Sequence, residues 1–134
     1  MKIAVLDTSA LIRLYVPDGP IPDGMEKFID DACKVESILL VPELALAEVA
    51  QVLWKKECKE YLQPSETDEI MCAIMELPLE IISHYNFLAD ALAISRKYGL
   101  TVYDSLFVAC AKRKNAILFT ADKKLQKVFD VIKD

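Results

Sequence analysis

The chain has 134 residues, of which 54% are hydrophobic and three are glycine, and its formal net charge is −5. That length suits one domain with a core of its own, and the composition excludes a disordered or collagen-like chain. The acidic balance excludes a protein that holds nucleic acid through an overall basic surface, while leaving local basic patches open.

In chain order, strand-like and helical text alternate, which predicts an α/β fold with a mostly parallel sheet. Residues 2–6 read as a first strand, Thr8 or Ser9 as the cap of a short helix reaching about Tyr15, and residues 17–24, with Pro-Asp-Gly twice, as a loop. A helix from about Met25 to Val35 leads to a buried strand over 37–41. Pro42 then opens a long helix to about Tyr61. Pro64 starts another helix that ends near Leu77, so the middle of the chain is a helical hairpin, and residues 79–82 form a third strand. Residues 84–98 are amphipathic and stop at Gly99, a good left-handed terminator, and Thr101 begins a helix to about Lys114. Residues 116–120 form a fourth strand, Asp122 caps a last helix, and Val131-Ile132 offers an edge strand.

The cysteines at 33, 58, 72 and 110 show no C-x-x-C spacing, which disfavours structural zinc. The amino terminus runs straight into strand text, without the pattern of a signal peptide. No apolar stretch reaches the ~18 residues needed to span a bilayer. The expected setting is a reducing cytoplasm, with buried free thiols. Glycines at 19, 24 and 99 make neither a Walker nor a dinucleotide fingerprint. The one histidine, His84, stands at a helix start or on the surface without a Ser or Cys partner, so a serine or cysteine nucleophile has little support.

Four acids carry the chemistry: Asp7, Glu48, Asp104 and Asp122. Asp7 and Asp122 follow strand text, and in an open α/β sheet ligands bind outside the carboxyl ends of the strands. Each also has a structural explanation. Asp7 and Asp122 are good N-caps, and Thr101 to Asp104 approximates a capping box. Glu48 is harder to explain locally, because Leu44, Ala45, Gln51 and Val52 surround it along its helix and offer no cation. It needs a distant Lys or Arg, or a metal ion. Carboxylates gathered without His or Cys suit Mg²⁺ or Mn²⁺, and the expected reaction is metal-assisted attack of water on a phosphodiester. Basic clusters at Lys55-Lys56-Lys59, Lys112-Arg113-Lys114 and Lys123-Lys124-Lys127 follow the acids and could draw phosphate to the rim, or be solvated helix faces. The apolar bulk of Leu53, Trp54, Tyr61 and Leu62 is either core or an interaction surface.

The segments Val5-Leu6-Asp7-Thr8-Ser9-Ala10-Leu11, Leu46-Ala47-Glu48-Val49-Ala50, Tyr103-Asp104-Ser105-Leu106-Phe107-Val108-Ala109 and Phe119-Thr120-Ala121-Asp122 resemble, in order and spacing, the four motifs of PIN domains, and most of all the VapC-type toxins of bacteria and archaea. The resemblance implies one PIN-like (RNase H-like) α/β/α domain over residues 1–134, with a four- to five-stranded, mostly parallel sheet and a protruding helical hairpin. It implies a Mg²⁺- or Mn²⁺-dependent endoribonuclease whose acidic cluster is Asp7, Glu48, Asp104 and Asp122, with Thr8, Ser9 and Thr120 as supporting hydroxyls. It also implies an RNA substrate, a homodimer and a small antitoxin partner. The Pro-Asp-Gly loop departs from the pattern. Other enzyme classes fit less well: a phospho-aspartate phosphatase needs an acid where Ser9 stands, and a receiver domain needs one after residue 82, where Ser83-His84 stand. A non-catalytic module that keeps the acids for folding, for a regulatory ion or for a partner is the alternative.

Overall fold

The computed structural model describes residues 1–133. Four strands, β1 (Lys2–Leu6), β2 (Ser37–Pro42), β3 (Leu79–Ile82) and β4 (Ile117–Phe119), form one sheet in the order β3-β2-β1-β4, and every pairing is parallel. Their text is continuous rather than alternating because both faces are covered. Ala4, Val5 and Leu6 are consecutive and all buried, as are Leu39, Leu40 and Val41, although successive side chains point to opposite faces. The expected edge strand at Val131-Ile132 does not form, and the described sheet has four strands. Those residues end helix α7 (Lys123–Ile132), where Leu125, Val128, Phe129 and Ile132 recur at helical spacing and face the core, leaving Val131 exposed.

The other helices are α1 (Thr8–Arg13), α2 (Met25–Cys33), α3 (Glu43–Cys58), α4 (Pro64–Met75), α5 (Leu88–Tyr98) and α6 (Val102–Arg113). Helix α6 is the central one. It is buried from Ser105 to Ala111 and packs on β1, β2, β4, α5 and α7. Helices α3 and α4 form the expected hairpin, fastened where the Thr67 hydroxyl donates to the Glu57 carboxylate. A 3₁₀ turn at Tyr85–Phe87 precedes α5, so His84 lies ahead of that helix rather than in it, half-buried, with its Nδ1 shielded and unpartnered.

Several helices stop earlier than their apolar patterns suggest. Gly99 (φ 74°) ends α5 as expected, but Val35 (φ 60°), Glu60 (φ 64°) and Asn115 (φ 51°) take the same left-handed position after α2, α3 and α6. Each allows the following amide to reach back: Glu36 to the Asp31 carbonyl at 2.8 Å, Tyr61 to Lys56 at 2.9 Å and Ala116 to Ala111 at 2.8 Å. A second correction concerns the thiols. All four are free, but only Cys110 is buried, where desolvation pushes its pKa up to about 11. Cys33, Cys58 and Cys72 fall on the solvent side of their helices. The apolar bulk of α3 divides likewise, with Leu53 in the core and Trp54 and Tyr61 exposed.

This topology positions the site. The chain moves outward from β1 to β2 and β3, then returns to the other side of β1 as β4, so the order reverses between β1 and β4. A crevice opens at such a reversal beyond the strands' carboxyl ends. Asp7 follows β1 there, and its amide extends the ladder by donating to the Phe119 carbonyl at 3.2 Å.

Candidate active site

Asp7 leaves β1 buried, only 4% exposed, and caps α1: its Oδ1 accepts from the Ala10 amide at 2.8 Å. The same oxygen accepts from the Ser9 hydroxyl at 2.7 Å, and Oδ2 accepts from the Thr120 hydroxyl at 2.5 Å. Neither hydroxyl is free to turn away. Ser9 Oγ accepts from the Ala121 amide at 2.9 Å and Thr120 Oγ1 from the Asp122 amide at 3.0 Å, which leaves both hydroxyl protons for Asp7. Asp7 is therefore held as an acceptor. Even so, its pKa is raised, with burial as the largest cause and the charge of Asp104 acting in the same direction against the three donors.

Glu48 projects from α3 and accepts from the Thr8 hydroxyl at 2.8 Å. Burial, followed by the charge of Asp104, raises its pKa against that hydrogen bond. Asp104 stands in the first turn of α6. Thr101 caps this helix by accepting from the Asp104 amide at 3.1 Å. Burial and then the charge of Asp122 raise the Asp104 pKa, with Thr101 and Lys124 opposing. Asp122 is exposed and caps α7, its Oδ1 accepting from the amides of Lys124 and Leu125 at 2.9 and 3.2 Å. The cap readings of Asp7 and Asp122 thus hold, and both side chains also face the crevice.

All four acids line one cavity of about 310 Å³, with Thr8 and Ser9 on its wall and Ile12, Val52 and Phe107 as apolar lining. Asp104 is the electrical centre, since its charge is felt at Asp7 and Glu48 and it feels that of Asp122. Among the described residues, none of the four makes a salt bridge. No three His, Cys, Asp or Glu among those residues converge closely enough to form a ready-made metal cage. The donor set still fits a hard divalent cation that keeps several waters, because it is all oxygen and mutually repelling.

Arg13 and Asp18 also line this cavity, and sequence reasoning passed over both. Asp18 lies in the Pro-Asp-Gly loop, read only as turn chemistry. Arg13 ends α1, where a cation has a ready explanation in the helix dipole. A groove of about 660 Å³ between α5, α6 and α7 shares no residue with the acidic cavity and holds a single acid, Asp90, lying among Ile94, Tyr98, Ala109 and Ile132 with Lys97, Lys112 and Arg113 at its margin. The acidic cavity, at the reversal point of the sheet, is the stronger candidate for chemistry. No helix among the described residues is long and apolar enough to cross a membrane.

The model of the PIN domain family matches residues 4–130. The chain is 32% identical over 134 residues to Ribonuclease VapC3 of Pyrobaculum aerophilum, covering 98% of this chain and 98% of the relative. Its fold is similar to the crystal structure of PAE2754 from Pyrobaculum aerophilum, with a TM-score of 0.74, 20% identity and 95% and 84% of the two chains covered. It is also similar to VapBC2 from Rickettsia felis bound to a DNA fragment from their promoter, with a TM-score of 0.64, 20% identity and 94% and 92% covered.

Proposed function

Since this chain belongs to the PIN domain family, we propose that it is a metal-dependent endoribonuclease, the toxin of a VapBC-type toxin–antitoxin pair, working as one domain over residues 1–134. The observation that carries this reading is the cavity at the β1/β4 reversal, which Asp7, Glu48, Asp104 and Asp122 line together, none of them in a salt bridge among the described residues. Similarity over nearly the full length to a protein named as a ribonuclease supports the substrate class.

In this reading Asp7, Glu48 and Asp104 hold Mg²⁺ or Mn²⁺, and Asp122 completes or tunes the set. Such an ion, when bound, supplies the positive charge that allows water to attack a phosphodiester near neutral pH. The chain's own residues provide orientation and exclusion. Ser9 and Thr120 fix the Asp7 carboxylate, Thr8 fixes that of Glu48, and Ile12, Val52 and Phe107 limit the water that reaches the acids. The same reading gives the protein a small antitoxin partner, a homodimeric state and a cytoplasmic setting; a similar fold in a toxin–antitoxin complex from Klebsiella pneumoniae, with a TM-score of 0.55 and 20% identity, supports the antitoxin.

Incubating a panel of structured RNAs with the protein and Mn²⁺, with EDTA, and with the Asp7→Asn variant tests the proposal. Metal-dependent cutting that the variant loses is the expected result. Cutting that persists in Asp7→Asn would overturn the site assignment, and no cutting in any arm, with no metal binding by titration, would leave a partner-binding module.

A further inference from the structure

Among the described residues, Arg13 is the one cationic side chain lining the acidic cavity, which it shares with five carboxylates once Asp18 is counted. Its guanidinium is held in place by the loop above it. Nη1 donates to the Pro20 carbonyl at 3.1 Å, and the chain passes so close at Gly19 that a Cβ there would lie 2.2 Å from Nη1 and 2.7 Å from Cζ. The loop is tied from its other side by Lys56 of α3, whose ammonium meets Asp18 at 2.8 Å. Lys124, the cation that acts on Asp104, is engaged with the Gly99 carbonyl at 3.2 Å and does not line the cavity.

A phosphodiester that enters this cavity carries negative charge into a wall of carboxylates. A bound ion would offset the charge at the reacting phosphate, whereas the flanking phosphates need a donor of their own. A guanidinium offers five N–H groups in a planar fork suited to phosphate oxygens, and the Pro20 carbonyl occupies one of them. From this arrangement we infer that Arg13, steadied by the Gly19–Pro20 segment, is a substrate-binding residue that grips an RNA backbone phosphate beside the scissile one. The inference rests on the nuclease reading above. It gives the loop at 17–24 a purpose, as a strap that aims Arg13 into the cavity and keeps Asp18 turned toward Lys56.

The test is steady-state cleavage by wild-type protein, Arg13→Ala, Arg13→Lys, Gly19→Ala and Asp7→Asn, with each variant's thermal midpoint measured alongside. Loss of a charge-assisted contact to phosphate raises KM about 10- to 100-fold in Arg13→Ala, with kcat within about threefold of wild type. Lysine, which keeps the charge without the fork, recovers part of that loss. Gly19→Ala leaves the charge in place but pushes the flexible guanidinium aside, and raises KM in the same direction without moving the midpoint. If wild type cuts RNA and Asp7→Asn does not, yet KM is unchanged in Arg13→Ala and Gly19→Ala, the inference is overturned while the nuclease reading survives. Loss of kcat at constant KM overturns it equally, because Arg13 would then act on the chemistry and not on a flanking phosphate. A wild-type protein that cuts no RNA overturns both.

Discussion

Thr120, just past β4, donates its hydroxyl to Oδ2 of Asp7, just past β1, at 2.5 Å, joining residues 113 positions apart in sequence. This contact makes two strand ends one site. It locks the orientation of the carboxylate, and the Asp122 amide in turn locks the hydroxyl. Replacing Thr120 by Val keeps the volume but leaves Asp7 short of a donor and the Asp122 amide without its acceptor. We expect a loss of about 1–3 kcal/mol in stability and a drop in cleavage, read by denaturant unfolding and by initial rates.

Asp7→Asn preserves the capping acceptor of α1, since asparagine caps a helix about as well as aspartate. The amide nitrogen that replaces Oδ2 cannot accept the Thr120 hydroxyl, a cost offset in part by removing a buried charge, so stability should fall by no more than about 3 kcal/mol, while cleavage falls by two or more orders of magnitude. Unfolding curves and rates measured on the same preparation separate the two effects.

The metal-free protein should gain stability as pH falls from neutrality. Asp7, Glu48 and Asp104 all have folded pKa values raised above 3.8, 4.5 and 3.8, mainly by burial. Between those unfolded values and the raised folded ones, the folded state binds more protons, so stability rises as pH drops through the window and is lost as pH climbs out of it. The thermal midpoint in EDTA should therefore rise as pH is lowered through that window toward the unfolded values. Glu48→Gln combined with Asp104→Asn should flatten the slope, and a flat wild-type profile would argue against the uncompensated cluster.

Adding Mn²⁺ at pH 7.5 should reverse that penalty, because a cation relieves the repulsion that protonation relieves at lower pH. A ligand at a hundred times its dissociation constant adds about 2.7 kcal/mol to the folded state. Asp104→Asn should weaken the effect most, as its charge is felt at Asp7 and Glu48 and it feels that of Asp122. Melting with and without the ion, for each single acid variant, gives the ranking.

Val35→Gly should stabilise the protein. Val35 is exposed and β-branched, and it sits at φ 60° after α2, a conformation that costs an L side chain about 1–2 kcal/mol and glycine almost nothing. A gain of about 1 kcal/mol in chemical denaturation is expected, and no gain would mean that valine's restriction of the unfolded chain outweighs the local strain.

The order of strands and helices was legible in the sequence because it rests on local signals. Apolar runs such as residues 2–6 and 37–41 mark buried strands, Thr101 and Asp122 mark helix starts, and Gly99 marks an end. The four acids that line one cavity stood out as candidates in the sequence as well, most sharply Glu48, whose helical neighbours leave its charge unexplained. Positions decided by packing were not legible. Val35 and Glu60 end helices with a left-handed turn that their side chains do not favour, since the reach-back hydrogen bonds and the strand or helix that follows outweigh the local cost, whereas Asn115 takes the same turn with a side chain that tolerates it. Val131 and Ile132 carry strand-like side chains yet finish α7, because Ile132 continues the apolar stripe of Leu125, Val128 and Phe129. Only the tertiary structure brought Arg13 and the Pro-Asp-Gly loop to the cavity and sent both hydroxyl protons of Ser9 and Thr120 to Asp7. Those relations join residues far apart in the chain, and their energies depend on distance and burial, which no local pattern encodes.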